Sequence, residues 1–359
     1  MAHRAVTRGR ACRGRASAQL SAFLRRQIGA GRVPGGSFLP TVRQLSADHR
    51  LAPKTVHRAL KRLEAEGLIL AEPRQGYRVL ARANDPDRGA PLAYIHNDLT
   101  PQHWGLEHRV LVTELERAAA SKSWPLLAVS SQGRPPTAII EQLLSLRACG
   151  IALDSVDPEI LGLIHKFGLP AVMVDAWRPD AALDLVMQDN YAGAGLAVEH
   201  LVRKGRRRIA WFGNALDNTH SRERFGGTVA ALELAGLELP RSLRVKVDPS
   251  RLMAQARALL SRPDRPTGIV ALWVSLAGAL TRAAQELGLV VGRDLDIVGW
   301  SPEEIYETSF RPAVGDAPVS AVVWSIATMA ASAVARLGER RTNPDMPVVK
   351  IRVPLRLVP

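Results

Sequence analysis

The stretch from Leu39 to Tyr77 constrains the fold of this chain more than any other part. It runs LPTVRQLSADHRLAPKTVHRALKRLEAEGLILAEPRQGY and alternates helical patterns with turn signals. Thr41 is a good N-cap for a short helix, and Pro53 suits the first turn of the next helix, because its missing N–H would have no intrahelical partner there. Gly67 is suited to end that helix. The apolar runs on either side of Pro73 to Gly76 then predict a hairpin.

The longer helix of this stretch has one apolar and one cationic face. Its apolar stripe consists of Val56, Ala59, Leu60 and Leu63. Polar side chains lie outside that stripe: Lys54, Thr55, His57, Arg58, Lys61 and Arg62. The spacing of Leu20, Phe23, Leu24 and Ile28 predicts a further amphipathic helix before it. A basic helix face suits the major groove of DNA, so the segment predicts a winged helix-turn-helix, an α+β domain that binds DNA.

The charge of the chain is concentrated in the same region. Residues 1 to 82 hold 17 Lys and Arg against 4 Asp and Glu, whereas the remaining residues hold 31 against 30. Neutralising phosphates with such a basic region releases counterions from DNA and supplies affinity that does not depend on sequence. The distribution places a nucleic-acid footprint at one end of the chain.

This segment resembles the winged helix-turn-helix of the gluconate-repressor (GntR) family, through LPTVRQLS, KTVHRALKRLEAEGLI and RQGY. The resemblance covers about residues 17 to 80. It implies that an arginine of the second helix, polar residues early in the third and the wing tip contact DNA. Carried over residue by residue, these are Arg43, Lys54, Thr55, His57, Arg74 and Gln75. Arg58 joins them as a candidate on the same basic face, with a solvated helix charge as the alternative.

Two departures from the family pattern affect the expected DNA contacts. Ala52 and Pro53 stand where the family usually has a Ser or Thr and an Arg that contact DNA. The operator sequence therefore need not follow the family consensus. The wing, RQGYRV, lacks the usual second glycine and threonine, which predicts a shorter wing.

The flanking segments have the composition of an arm and a linker. Residues 1–16 carry five arginines among small residues and predict a disordered basic arm. It either follows the phosphate backbone or a minor groove, or is simply a frayed terminus. The DNA-binding domain is expected over residues 17–81. Residues 82–91, RANDPDRGAP, combine Pro, Gly and charge and predict a linker.

From residue 92 onward, short apolar runs alternate with helical patterns, which favours parallel sheets covered by helices. Strands are predicted to begin at Leu92, Leu126, Gly150, Ala171, Leu185, Arg208, Leu243, Gly268, Asp296 and Val348. The charge-free run from Ala317 to Ala335 is interpreted as a packed helix near a dimer surface, with a membrane span as the alternative.

Residues 92 to 358 resemble the effector domain of the lactose-repressor (LacI) family. The motifs are AVMVDAWRPD, MQDNYAGAGLAVEHLVRKGRRRIAWFG, SRERFGGTVAALELAGL and GIVALWVSLAGALTRAAQELGLVVGRDLDIVGW. The resemblance implies a two-lobed α/β sensor, similar to periplasmic binding proteins, over residues 92–359. Such a domain dimerises and holds a small molecule between its lobes. The combination of a GntR-type and a LacI-type part is similar to that of arabinose repressors.

The resemblance also nominates residues for binding an effector. Arg224, in SRERFGG, matches the arginine that hydrogen-bonds sugar hydroxyls in the family, and a guanidinium can equally hold a carboxylate or phosphate. Asp175, at the end of VMVD, matches a position that lines the cleft, with a turn cap as the alternative. Trp104 lies where the family often places an aromatic ring over the ligand, with a core role as the alternative.

Two polar anchors of the family are absent. Leu272 and Trp273 replace an Asn-Asp pair, and Ser301 follows Gly299-Trp300 where the family has Asp. Burying a hydroxyl without a partner costs about 1–3 kcal/mol, so an ordinary sugar should bind poorly. Either the effector is flatter and more apolar and stacks on Trp273 and Trp300, or it has been lost and the domain mainly dimerises.

Other classes of function find little support in the sequence. His96, His103 and His108 lie close together, but neither HExxH spacing nor a Cys pair accompanies them, so we expect no metal site. No G-x-S-x-G or Walker sequence occurs, so we expect no catalytic residues and no cofactor. The expectation is a cytoplasmic, nucleoid-associated homodimer that regulates transcription, as a repressor, at a roughly palindromic double-stranded operator. The alternative is a small-molecule binding protein whose basic domain anchors it to DNA without sequence preference.

Overall fold

The computed structural model of the 359-residue chain divides into two compact units, Met1–Ala90 and Pro91–Pro359. It describes residues 16–25, 27–28, 32–33, 36–66, 68–72, 75–79, 90–97, 105–154, 157–176, 181–216 and 218–359. The predicted basic arm, apart from residue 16, and residues 82–89 of the predicted linker lie outside this set.

The described residues of the first unit form three helices and a hairpin. Helix α1 (residues 16–25 and 27–28) is followed by α2 (Val42–Asp48) and α3 (Pro53–Ala65). Strands β1 (Ile69–Glu72) and β2 (Gly76–Val79) pair antiparallel, and the preceding residues 36–39 add to β2 through a bond from Leu39 N to Tyr77 O of 2.8 Å. The winged helix-turn-helix expected from the sequence is confirmed.

Local sequence signals explain where the helices of this unit begin. The Thr41 side chain accepts a hydrogen bond from the Gln44 N–H, and the Gln44 side chain accepts one from the Thr41 N–H. Together these two bonds form a capping box. Pro53 occupies the first turn of α3. The core joins the three helices and the hairpin through Leu20, Leu24, Leu39, Leu45, Val56, Ala59, Leu60, Leu63, Ile69 and Val79. The apolar stripe predicted for α3 therefore faces the core.

The second unit consists of two lobes, each built on a six-stranded sheet. In lobe 1 the strands are β3 (Leu92–His96), β4 (Leu126–Ser130), β5 (Gly150–Leu153), β6 (Ala171–Val174), β7 (Asp184–Gln188) and β13 (Lys350–Val353). They are parallel, in the order β13-β7-β6-β5-β3-β4. The helices of this lobe are α4 (Leu106–Ala120), α5 (Pro136–Ser145), α6 (Pro158–Lys166) and α12 (Ile326–Thr342).

Lobe 2 repeats this layout with one reversed edge strand. Its strands are β8 (Ile209–Phe212), β9 (Arg244–Val245), β10 (Gly268–Ala271), β11 (Asp296–Pro302), β12 (Ser320–Trp324) and β14 (Arg356–Val358). The order is β14-β12-β11-β10-β8-β9, with β14 antiparallel to β12. Its helices are α7 (Asn190–Arg203), α8 (Thr219–Leu234), α9 (Leu252–Leu260), α10 (Val274–Glu286) and α11 (Arg311–Val314).

In the part of the second unit that the structure describes, the chain crosses between the lobes three times: after Gln188, after Trp324, and between Val353 and Arg356. Because strands of both lobes end at these crossings, residues that follow strand ends come to lie between the lobes, where α/β sheets bind ligands. The two-lobed α/β fold expected from the sequence is confirmed.

The interpretation of Ala317 to Ala335 as one helix is wrong. The run contains strand β12, all five of whose residues are buried, and then the first part of α12. A strand buried on both faces has no polar alternation, so its apolar run resembles that of a buried helix. Among the described residues, no helix is long and apolar enough to cross a membrane.

Candidate DNA-binding surface and effector cleft

The basic face of α3 is exposed as predicted. Lys54, His57 and Arg58 point away from the core of the first unit, and Arg43 is exposed on α2. Gln75 is exposed in the turn between β1 and β2, whereas Arg74 lies outside the described residues. The structure therefore leaves cations and hydrogen-bond donors on the helix that would enter a groove of DNA.

Thr55 departs from the prediction, since only 6% of it is exposed. Its position explains the difference, because residues four apart share a helix face and Thr55 lies one turn before the fully buried Ala59. The apolar stripe is one row wider than the sequence indicated. The sequence predicted that the Thr55 side chain contacts DNA, and this prediction does not agree with its burial.

Contacts with the hairpin also shape this surface. The hydroxyl of Tyr77 on β2 lies 3.5 Å from Nδ1 of His57, and the two rings meet edge to face. Lys61 donates to Glu64 at 2.7 Å, which raises the pKa of the lysine. The hairpin thus orients His57, while the charge of Lys61 is partly matched within the helix.

A cleft of about 920 Å³ lies between the lobes of the second unit. Its polar lining comprises Glu107, His108, Asp154, Asp175, Ser275 and Ser309. Its apolar lining includes Trp273, Trp324, Ile305, Ile326 and Met329. Both lobes contribute, so a bound molecule would contact the two together.

Arg224 lies on α8 and is completely buried. Its Nε donates to Asn190 Oδ1 at 2.8 Å and its Nη1 to Leu272 O at 2.9 Å, while Nη2 has no hydrogen-bond partner. The guanidinium carbon lies 4.1, 4.8 and 5.4 Å from the ring centroids of Trp300, Trp273 and Trp324. Burial lowers the pKa of Arg224 to about 10, so the side chain remains charged at neutral pH.

Asp175 follows β6 and lines the cleft, in agreement with the position predicted for it. Its backbone has a φ of 57°, in the left-handed region. The Oδ1 atom is buried and accepts no hydrogen bond, although 30% of the side chain is accessible. Removal from water raises the pKa of Asp175 to about 7, against the opposing charge of Arg224. Desolvation and the neighbouring Asp175 also raise the pKa of Glu107.

His220, which the sequence analysis did not single out, bridges the lobes. Its Nε2 lies 2.8 Å from Asp175 O, and its Nδ1 lies 3.1 Å from Nδ2 of Asn190 and 3.2 Å from Nε2 of Gln188. A carbonyl oxygen can only accept, so Nε2 carries the proton and Nδ1 accepts from the amides. Burial, and then Arg224, lower the pKa of His220 to about 4. The ring is neutral at ordinary pH.

A second interlobe contact lies on the same helix. Glu223 of α8 receives two hydrogen bonds from Arg352 of β13, at 2.6 and 2.8 Å.

His220 and Arg224 lie four residues apart and share a helix face. This spacing is the sequence signal that could have drawn attention to His220.

The predictions for Trp300 and Ser301 need correction. Trp300 is 1% exposed and packs behind Arg224, so its ring offers no face on which an effector could stack. Ser301 is completely buried and donates its hydroxyl hydrogen to Pro302 O at 3.0 Å. Trp273 does line the cleft, as does Trp324, which the sequence analysis missed because it lies in the misassigned run. Trp104 falls outside the described residues.

Neither His96 nor His108 belongs to a possible metal site. In the part of the chain that the structure describes, no group of three or more His, Cys, Asp or Glu could hold a metal ion. Instead, Tyr94 donates its hydroxyl hydrogen to Asp154 at 2.8 Å and its oxygen lies 3.1 Å from Nε2 of His108. These side chains form a polar network beside the cleft.

Comparison with known proteins agrees with both units. A family model described as bacterial regulatory proteins, gntR family, matches residues 16–79, and one described as a periplasmic binding protein-like domain matches residues 198–359. The ribose operon repressor of Escherichia coli K12 is 29% identical over 203 residues, 54% of this chain and 61% of that protein. The HTH-type transcriptional repressor PurR of Haemophilus influenzae PittEE is 25% identical over 242 residues, 66% of this chain and 70% of that protein.

Solved structures share the fold. The lac repressor dimer bound to operator and an anti-inducer has a TM-score of 0.62 at 19% identity, covering 76% of this chain and 93% of that one. A regulatory protein of the LacI family from Chloroflexus aggregans has a TM-score of 0.62 at 22% identity, covering 73% and 96%. The chain thus joins a region that matches the gntR family model, residues 16–79, to a two-lobed domain whose fold is similar to that of the solved LacI-type regulators.

Proposed function

We propose that this protein is a sequence-specific regulator of transcription, acting as a repressor, whose DNA binding responds to a small molecule in the interlobe cleft. The observation that carries the proposal is the exposed basic face of α3, with Lys54, His57 and Arg58 on a unit that matches the gntR family model. The two relatives named above are a ribose operon repressor and a repressor called PurR. Their similarity supports the proposal that this chain is also a repressor.

Two such units in a homodimer would place two α3 helices in successive major grooves. The operator would then be roughly palindromic, with half-sites about one helical turn apart. The protein would act in the cytoplasm, associated with the nucleoid.

The cleft supplies the regulatory part of the proposal. Asp175, Trp273 and Trp324 border it, and Arg224 lies behind the two tryptophans. A ligand can shift DNA binding only through its different affinities for two arrangements of the lobes. The contacts from His220 to Asp175 and from Arg352 to Glu223 join the lobes, so their geometry would change with that arrangement.

The test is selection of fragments of the source genome by the purified full chain near physiological salt. We expect one recurrent palindrome. The variants Lys54→Ala and His57→Ala should weaken binding to it, and His57→Ala should also relax its sequence preference. Lys61→Ala is the matched control, because that ammonium is already bound to Glu64.

Uniform, salt-sensitive binding to all fragments would contradict the proposal. It would favour instead a small-molecule binding protein anchored to DNA without sequence preference, because phosphate contacts alone carry no sequence information.

A further inference from the structure

The charged lining of the cleft is acidic. Glu107, Asp154 and Asp175 all border it, whereas none of the described residues that line it is Lys or Arg. His108 is the other titratable residue of this described lining. A cavity walled by carboxylates raises the local concentration of cations and excludes anions.

Arg224 does not reverse this charge at the cleft wall. Its side chain is completely buried, with two nitrogens bound to Asn190 and to the carbonyl of Leu272. Its charge balances part of the acidic charge of the wall, and burial raises the pKa of both Asp175 and Glu107. A guest cation would stabilise the charged form of these two carboxyls, and no Lys or Arg of the described lining competes for them.

The aromatic lining also suits a cation. Trp273 and Trp324 border the cleft, and both rings already hold the Arg224 guanidinium at 4.8 and 5.4 Å from their centroids. A tryptophan face attracts cations through its quadrupole, and more strongly where water is excluded. Flat or apolar groups also pack on such rings.

Two atoms in this wall lack hydrogen-bond partners. The buried Oδ1 of Asp175 accepts no hydrogen bond, and Nε2 of His220 lies 3.6 Å from it. The Nε1 of Trp324, a residue only 4% exposed, donates none and needs an acceptor on the guest, such as a hydroxyl or carbonyl oxygen. An unpaired buried acceptor is destabilising until a donor reaches it. A protonated amine supplies such a donor together with a compensating charge.

We propose that the cleft binds an organic cation, with an ammonium or amidinium group held by Asp175 and Glu107 and a flat, apolar body against Trp273 and Trp324. This inference rests on the proposed function only in taking the cleft as the effector site. It specifies the effector as a cation, which distinguishes it from a neutral sugar or an organic anion.

The test compares three ligands that share an indole ring and differ in charge: tryptamine, which is cationic, tryptophol, which is neutral, and indole-3-propionate, which is anionic. Calorimetry with the full chain should show tryptamine binding at least about tenfold more tightly than tryptophol, equivalent to about 1.4 kcal/mol. Indole-3-propionate should bind most weakly.

The double variant Glu107→Gln, Asp175→Asn should remove this preference. Asparagine tolerates the left-handed backbone of residue 175, so the variant is expected to fold. Glu199→Gln is the matched control, because Glu199 is an exposed residue of α7 paired with Arg203 outside the cleft lining. It should keep the full preference for tryptamine.

Equal or tighter binding of tryptophol or indole-3-propionate would overturn the inference. So would an unchanged preference in the double variant, or binding of none of the three at about 1 mM. Fragment selection with the same preparations separates the two claims. A recurrent palindrome without a preference for the cation would remove the inference and leave the proposed function standing.

Discussion

Acidification should weaken the second unit through His220, and the structure gives the size of the effect. The neutral ring joins the lobes by donating to Asp175 O and accepting from Gln188 and Asn190. A proton on Nδ1 would remove the acceptor that both amides use. It would also place a second positive charge beside Arg224.

The sign follows from the pKa of His220, which falls from 6.5 to about 4 on folding, so the unfolded chain takes up the proton first. The stabilisation is therefore present above pH 6.5 and is lost as the pH falls towards 4. A difference of one between the folded and unfolded pKa corresponds to about 1.4 kcal/mol. Between about pH 7.5 and about pH 5 the loss from this group is about 2 kcal/mol.

The assay is urea unfolding followed by tryptophan fluorescence across this pH range. All seven tryptophans lie beyond residue 90, so the signal reports the second unit. His220→Gln keeps a donor and an acceptor without a titrating ring. The free energy of unfolding of the wild type should fall by about 2 kcal/mol relative to this variant on acidification.

Asp175 acts in the opposite direction and must be separated from this effect. Its pKa rises from 3.8 to about 7 on folding, so its contribution is present at low pH and is lost as the pH rises through about 7. Because both proteins contain Asp175, its effect largely cancels in the difference between them. A difference that does not change with pH would refute the assignment of a neutral, bridging His220.

Three further predictions concern single positions. Thr41→Ala removes the capping box of α2 and should lower the stability of the first unit by about 0.5–2 kcal/mol, measured by thermal unfolding with circular dichroism. Gly193→Ala would place its Cβ 2.8 Å from the ring of Trp300 and 2.9 Å from Leu355. It should cost about 1–3 kcal/mol in urea unfolding, whereas Gly195→Ala on the same helix meets nothing within 4 Å and should not destabilise. Lys54→Ala should reduce the slope of log affinity against log salt by about 0.9 in operator titrations, provided that Lys54 contacts a phosphate.

The first unit could be predicted almost completely from its sequence because its determinants are local. Thr41 and Pro53 mark the beginnings of two helices, and the apolar stripe of α3 identifies its buried face. Thr55 is the exception. Whether a residue at the border of the stripe is buried depends on how far the neighbouring elements extend over it, and no spacing within α3 contains that information.

The cleft was predicted less well because its residues are brought together by topology. Arg224 and Asp175 could be nominated by resemblance, but the burial of Arg224 depends on Trp300 and Trp324, which lie on different strands. Trp324 was missed because a strand buried on both faces has no alternation to reveal it. His220 acquires its role only because the crossing after Gln188 brings lobe 1 against α8.

One departure from the family pattern, Trp273, contributes directly to the burial of Arg224. Leu272 and Trp273 replace a polar pair, and the structure shows the Leu272 carbonyl accepting from Arg224 and the Trp273 ring stacking on it. The chain's own groups therefore bind two of the three nitrogens of an arginine that the resemblance assigned to a ligand, while Nη2 has no partner. Because the Arg224 guanidinium is buried behind Trp273 and Trp324, the charged residues at the cleft surface are mainly Glu107, Asp154 and Asp175. Trp273, one of the substitutions that should make an ordinary sugar a poor guest, thus also supplies an aromatic surface for the proposed cation.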